Sequence, residues 1–223
     1  MSAPIPLRQN QPDLLAVIDI GSSKTTVLCG HSRDDGTLTF AGYGRVNSTG
    51  VRKGIVADLK IASEEVKRAV EMAEKMAGYE IARAVVSVGG PHIRGINSRG
   101  GLTLGSRQRE IDREDIRTAL DRARSVQLPS DRTILHLLPR EFVIDNQPGV
   151  QDPLGMTGSR LEVNLHIVTA SASAVQSVVT AVNKAGIVVD DTIFEGVASA
   201  ESLNNLEEGE RVIGACVLDI GAG

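Results

Sequence analysis

Aromatic side chains make up only 2% of this 223-residue sequence, and tryptophan is absent. Proteins that hold single-stranded nucleic acid stack bases on aromatic rings and gather lysine and arginine against phosphates. A chain with few rings and a net charge of −4 offers neither, so nucleic acid is not an expected partner. Cysteine is almost as scarce. Cys29 and Cys216 lie far apart in apolar, β-like contexts and match no metal-ligand spacing. They are expected to be buried thiols of a reducing cytosol, with no disulfide framework and no zinc site. No stretch approaches the ~18 uninterrupted apolar residues of a membrane-crossing helix. Residues 1–13, rich in Pro, Gln and Asn, lack the apolar centre of a signal peptide or anchor and are expected to be a disordered leader. The remaining composition, 41% hydrophobic and 23% charged, is that of a globular protein with a sizeable core in one or two domains.

The most informative stretch is LLAVIDIGSSKTTVLCG, Leu14 to Gly30. An apolar run from Leu14 to Ile18 reads as a strand, stops at Asp19-Ile20-Gly21, and is followed by Ser22, Ser23 and Lys24 before a second β-like run from Thr25 to Cys29. A glycine at such a bend lets backbone N–H groups approach a phosphate, and hydroxyls add donors. Asp19 carries the wrong charge to touch a phosphate. Its chemistry suits holding a metal ion, directly or through water, or orienting an attacking water. Taken alone, the loop reads as an ordinary hairpin turn. Its counterpart at the other end of the sequence changes that balance: VIGACVLDIGAG, Val212 to Gly223, again brings an apolar run to Asp219-Ile220-Gly221. Two such loops facing each other would clamp a nucleoside triphosphate and its Mg²⁺ from opposite sides.

The paired loops resemble those of the actin-like ATPase superfamily. The segments VVSVGGPHI (Val85 to Ile93), Ile134 to Ser171 and VDDTIFEGVASAES (Val189 to Ser202) resemble the FtsA cell-division family within it. The resemblance implies an α/β fold: an actin-like (ribonuclease H-like) first lobe, 1A, from residues 14–83 and 171–207. An inserted α+β subdomain, 1C or SHS2-like, is expected over 84–170, and the start of a truncated second lobe over 208–223. It also implies ATP and Mg²⁺ as ligands. Asp19 and Asp219 would be the catalytic and metal-holding acids, and Gly21, Ser22, Ser23, Lys24, Gly221 and Gly223 the phosphate contacts.

Periodicity supplies the elements. A third strand is expected over Leu38–Val46, with Gly42 and Gly44 marking a bulge or close packing, then a solvated loop over Gly50–Leu59. A helix over Ser63–Ala77 would be capped by Ser63, with Met72 and Met76 filling the core. Ala84–Val88 reads as a strand followed by a Gly-Gly-Pro-His turn, and a short strand is expected near Leu102. Asp112 and Asp115 form a capping box, with Ile111 and Ile116 as a staple. Pro139 interrupts the strand Thr133–Asp145 and predicts an edge or a bulge. Leu161 to Ala170 alternates, placing His166 on the surface. Ser173 is expected to cap a helix. Val188–Phe194 is a strand and Val197–Leu206 a helix.

The resemblance implies a bacterial cell-division protein that tethers the FtsZ ring to the cytoplasmic face of the membrane, self-associates into filaments and recruits later division proteins through 1C. Membrane and FtsZ contacts would lie in parts this chain lacks, and ATPase activity would be weak at most in the full-length parent and absent from this chain. The competing class is an ATP-dependent chaperone or sugar-kinase-like enzyme. The unit over Ala84–Ala170 argues for the scaffold. A third reading, a bare interaction module, would make both loops mere turns.

Overall fold

The computed structural model describes residues 14–202, 214 and 216–222. They fall into two compact units, one comprising the chain up to His92 and from Ser173 onward, the other Ile93–Ala172. The first unit opens with β1 (Leu14–Ile20), β2 (Lys24–Ser32), β3 (Leu38–Asn47), β4 (Val51–Arg52), β5 (Ile55–Val56), α1 (Leu59–Ala77) and β6 (Arg83–Val88). The second holds β7 (Arg94–Thr103), β8 (Arg109–Glu110), α2 (Arg113–Arg124), β9 (Arg132–Ile144), β10 (Gln147–Val150), β11 (Thr157–Gly158) and β12 (Arg160–Ser171). The chain then forms α3 (Ala172–Lys184), β13 (Val188–Phe194) and α4 (Glu195–Ser202).

The main sheet of the first unit runs in the order β13-β6-β1-β2-β3. β1 is antiparallel to β2 and parallel to β6, and β13 is parallel to β6. Alternation along β1 and β2 buries Ala16, Ile18, Val27 and Cys29 toward α1. The helix answers with Ala62, Val66, Ala69, Val70 and Ala73, spaced three and four apart. Its start lies a turn earlier than the sequence suggests: Asp58 is the cap, accepting from Ile61 N–H at 3.0 Å, while Ser63 is buried inside the helix. Met72 and Met76, expected in the core, are instead exposed. The small residues of α1 let the helix lie directly on β3. A Cβ on Gly44 would overlap the Ala69 carbonyl, so close packing explains this glycine. A bulge is present too, at Ala41, where the pairing steps from Cys29↔Gly42 to Gly30↔Phe40.

The expected solvated loop at 50–59 is a small β4–β5 hairpin turned by Lys53 (φ 51°) and Gly54 (φ 69°), the conformation that two-residue hairpin turns require. It is anchored by Val51 against Ala62 and Ala181. It is also anchored by Glu65, which is 1% exposed and accepts from Thr49 N–H (2.7 Å), Thr49 Oγ1–H (2.8 Å) and Gly50 N–H (3.3 Å).

Ala84–Val88, expected in the inserted subdomain, pairs with β1 and β13 in the main sheet, so the second unit begins at Ile93. Its sheet runs β10-β9-β12-β7. Leu161, Val163, Leu165 and Ile167 of β12 are almost fully buried beneath α2. The strand expected near Leu102 spans all of Arg94–Thr103. Asp112 and Asp115 form the capping box, and Arg109 grips Asp115 with two hydrogen bonds (2.7 and 2.6 Å). Pro139 stands beside a bulge at Arg140, on the part of β9 that β10 does not pair with. The outward face of β12 holds His166, hydrogen-bonded to Asn97 at 2.7 Å, and a buried acid, Glu162.

Ser173 lies within α3 and does not cap it. Residues 216–222 form no strand, and Leu218 and Ile220 are exposed, because no described strand lies alongside to pair with them. Cys216 is exposed for the same reason, whereas Cys29 is buried with its thiol donating to the Gly42 carbonyl (3.6 Å). Burial, then the Glu74 charge, pushes the Cys29 thiol up. The leader at residues 1–13, the end of the Val197–Leu206 helix and Gly223 lie outside the described residues.

Candidate functional site

The parallel strands β1, β6 and β13 end on the same side of the sheet, and ligands of open α/β sheets bind beyond such carboxyl ends. At the end of β1 stand Asp19 and Ile20, with the Gly21–Ser23 turn closed by Gly21 N–H donating to the Lys24 carbonyl (2.9 Å). The parallel register aligns Val17 with Val85 and thereby sets Ser87 beside Asp19. The Ser87 hydroxyl donates to Asp19 Oδ1 at 2.5 Å. The tip of the β4–β5 hairpin closes in from another direction. Gly54 N–H donates to Ser22 Oγ (2.9 Å), and a Cβ on Gly54 would lie 2.6 Å from Gly90 Cα.

β13 ends at Phe194, which delivers Glu195 to the same rim. A side chain on Gly89 would overlap the Glu195 carboxyl group, so glycine is required there for close approach. Burial is the main cause that raises the Glu195 carboxyl above its ordinary range. The negative charges of Asp219 and Asp19 add to it, and the Gly90 N–H opposes it. Both Asp-Ile-Gly segments therefore bring their acids within electrostatic reach of one side chain.

Of the residues singled out in the sequence, Asp19, Gly21 and Ser22 come together half-buried. Ser23 and Lys24 are more exposed: Ser23 gives its carbonyl to Ser48 N–H (3.0 Å), and Lys24 heads β2 opposite Asn47. Asp219 is exposed and lies within reach of Glu195, with Gly221 two residues beyond it. Among the described residues no three acids, histidines or cysteines close on one point as a protein-only metal site would.

Sequence reasoning missed Ser87, Gly54, Gly89 and Glu195. Gly89 was read as turn punctuation, and Glu195 sat unremarked between a strand and a helix. The signal that could have found them is the parallel pairing of their strands with β1, which turns three distant strand ends into one rim.

A parallel-stranded rim carrying glycine turns and acids, in a lobe interrupted by a small α+β unit, defines the actin-like class with an inserted subdomain. The solved PilM-PilN type IV pilus biogenesis complex has a chain of this fold, with a TM-score of 0.55 over 84% of this chain and 50% of that one, at 15% identity. The profile of the SHS2 domain inserted in FtsA matches residues 90–169. Cell division protein FtsA of Pseudomonas aeruginosa is 41% identical over 94% of this chain and 49% of its own length. The FtsA of Escherichia coli K12 is 35% identical over the same shares. The chain belongs to the FtsA family. It spans about half the length of the curated relatives it matches.

Proposed function

We propose that this chain supplies the phosphate-gripping part of an actin-like cell-division protein that binds ATP with Mg²⁺. The observation that carries the reading is that β1 and β13 deliver Asp19 and Glu195 to one rim of glycine turns, with Asp219 within electrostatic reach of Glu195. Carboxylates gathered so that Asp19 and Asp219 raise the proton affinity of Glu195 fit a cation. Mg²⁺ that keeps several waters and takes phosphate oxygens needs only one or two of them. Bound there, Mg²⁺ would neutralise phosphate charge. Gly21 and Ser22, with Ser23 and Lys24 at the outer edge, would hold phosphate oxygens. Asp19, steadied by the Ser87 hydroxyl, and Asp219 would orient water ligands of the metal, and Glu195 would position an attacking water.

In the assembled protein this lobe would belong to a filament-forming scaffold at the cytoplasmic face of the division septum. It would tether the FtsZ ring to the membrane and recruit later division proteins through Ile93–Ala172. Among the described residues no helix is long and apolar enough to cross a membrane. Equilibrium dialysis with labelled ATP and Mg²⁺ tests the site, on this chain and on a version extended to the length of its relatives. Asp19→Ala and Asp219→Ala are each expected to weaken Mg²⁺-dependent binding about tenfold or more. Unchanged binding and turnover in both variants of the extended protein would overturn the reading.

A further inference from the structure

β12 pairs with β7 along its whole length, from Arg94 to Thr103, and among the described residues no strand pairs with the other side of β7. The phase of this edge follows from one bond: Leu104 N–H donates to the Ser159 carbonyl (2.7 Å). Pairing groups alternate along an antiparallel ladder. Ile96, Ser98, Gly100 and Leu102 therefore turn their N–H and C=O toward β12, and Asn97, Arg99, Gly101 and Thr103 turn theirs outward. The outward carbonyl of Gly101 is met by the Arg122 guanidinium at 2.7 Å, in agreement with that phase.

The edge opens onto a depression of about 460 Å³ lined by Arg99, Gly101, Thr103, Arg122, Arg160 and Glu162. Its charges straddle the strand. Arg99 and Arg160 stand on the outward face with Glu162, while Arg122 comes from α2, which packs on the opposite face against Gly100. Glu162, 5% exposed, shares its two oxygens between Arg99 and Arg160, and this leaves a surplus of positive charge around the depression. Each guanidinium has five N–H donors in a fork that matches a carboxylate, so donors remain on all three. Ile93–Ala172 contains arginine but no lysine. The arginines are also what keeps the edge from pairing with a second copy of itself, since like charges would meet.

We propose that the β7 edge is the docking strand of this unit and takes an extended acidic segment of a partner protein by strand addition. This deepens the proposed recruitment of division proteins through Ile93–Ala172 and rests on it. Backbone groups of the segment would pair with the outward groups of Asn97–Thr103. Successive residues of a strand point to opposite faces, so two consecutive acids would straddle the edge, one reaching Arg99 and Arg160, the other Arg122.

The test uses the full chain and a fluorescent octapeptide in which valine and threonine flank a central pair of glutamates, with the lysine version as control. Anisotropy is expected to show binding of the acidic peptide only, weakening as salt rises. Arg99→Gln and Arg122→Gln should each reduce affinity about tenfold. Thr103→Pro, which removes one outward N–H from an edge strand without changing charge, should abolish it. Amide resonances of Asn97, Arg99, Gly101 and Thr103 should shift in the unsubstituted chain. Equal binding of both peptides, no binding up to millimolar concentration, or shifts confined elsewhere would overturn the proposal. Shifts elsewhere on Ile93–Ala172 would leave recruitment through this unit standing, whereas failure of every division-protein segment to bind this unit would remove that reading as well.

Discussion

Glu195→Gln is expected to make the protein more stable and its site less competent. The Glu195 carboxyl is half-buried, accepts from Gly90 N–H and faces the charges of Asp219 and Asp19. Glutamine keeps the shape and the acceptor while removing the desolvated charge. Two carboxylates several ångströms apart repel by about 2 kcal/mol at an effective dielectric near 20. Partial exposure and salt cut this, so a net gain of about 1 kcal/mol is expected at neutral pH. The sign with pH follows from the direction of the shift. A carboxyl whose folded-state affinity for protons is raised stabilises the fold while protonated, below the unfolded value near 4.3, and that contribution is lost as pH rises through the folded value. Wild type and variant should therefore have similar stability near pH 4, and the variant should gain its advantage on the way to pH 7. Urea denaturation at several pH values measures the difference, and ATP turnover of the extended protein should fall at least a hundredfold in the same variant. A variant less stable than wild type at pH 7 would refute the convergence of the three acids.

Glu65→Ala should cost about 2–3 kcal/mol by urea denaturation, since it strands the buried Gly50 N–H and removes the acceptor of two Thr49 donors. Glu65→Gln should cost less, and a loss under 1 kcal/mol in the alanine variant would contradict the anchoring of the hairpin. Asp115 is held below the ordinary carboxylate range, chiefly by its hydrogen bonds to Arg109. Its stabilisation is present above the unfolded value near 3.9 and lost as pH falls through the depressed folded value. Asp115→Asn should therefore lower the melting temperature at pH 7 and flatten its fall in acid, and an unchanged acid slope would assign that fall to other groups.

Much of the fold was legible because its signals are local. The β1 and β2 runs, the glycine that ends α1, the Asp112–Asp115 capping box and the alternation of β12 each depend on residues a few positions apart. Errors arose where a distant partner decides. Ser63 looked like a cap because it is a hydroxyl before a helical pattern, but Asp58 extends the helix and Ser63 faces the core. Ala84–Val88 was expected inside the insertion at 84–170, yet its backbone pairs with β1, more than sixty positions earlier. Glu65 carries no local mark of its role, and only the fold of the 49–56 segment over the helix turns it into a buried acceptor.

The site divides along the same line. Asp19, Gly21 and Ser22 announce themselves because a carboxylate, a glycine and hydroxyls crowd one bend, and the second Asp-Ile-Gly repeats the pattern. Ser87 and Glu195 carry no such signature. One is a serine inside a strand of valines, the other an acid between a strand and a helix, where helix N-termini favour acids for reasons unrelated to catalysis. Their importance comes from topology: β6 and β13 run parallel to β1, so the residues at their carboxyl ends arrive where β1 delivers Asp19. Once the parallel order β13-β6-β1 is known, the ends of these strands become a short search list, and the acid it adds to Asp19 is Glu195. Gly89 belongs to the same geometry. A side chain there would displace the carboxyl group, so the glycine pair that resembled simple turn punctuation is what lets the third acid reach the rim.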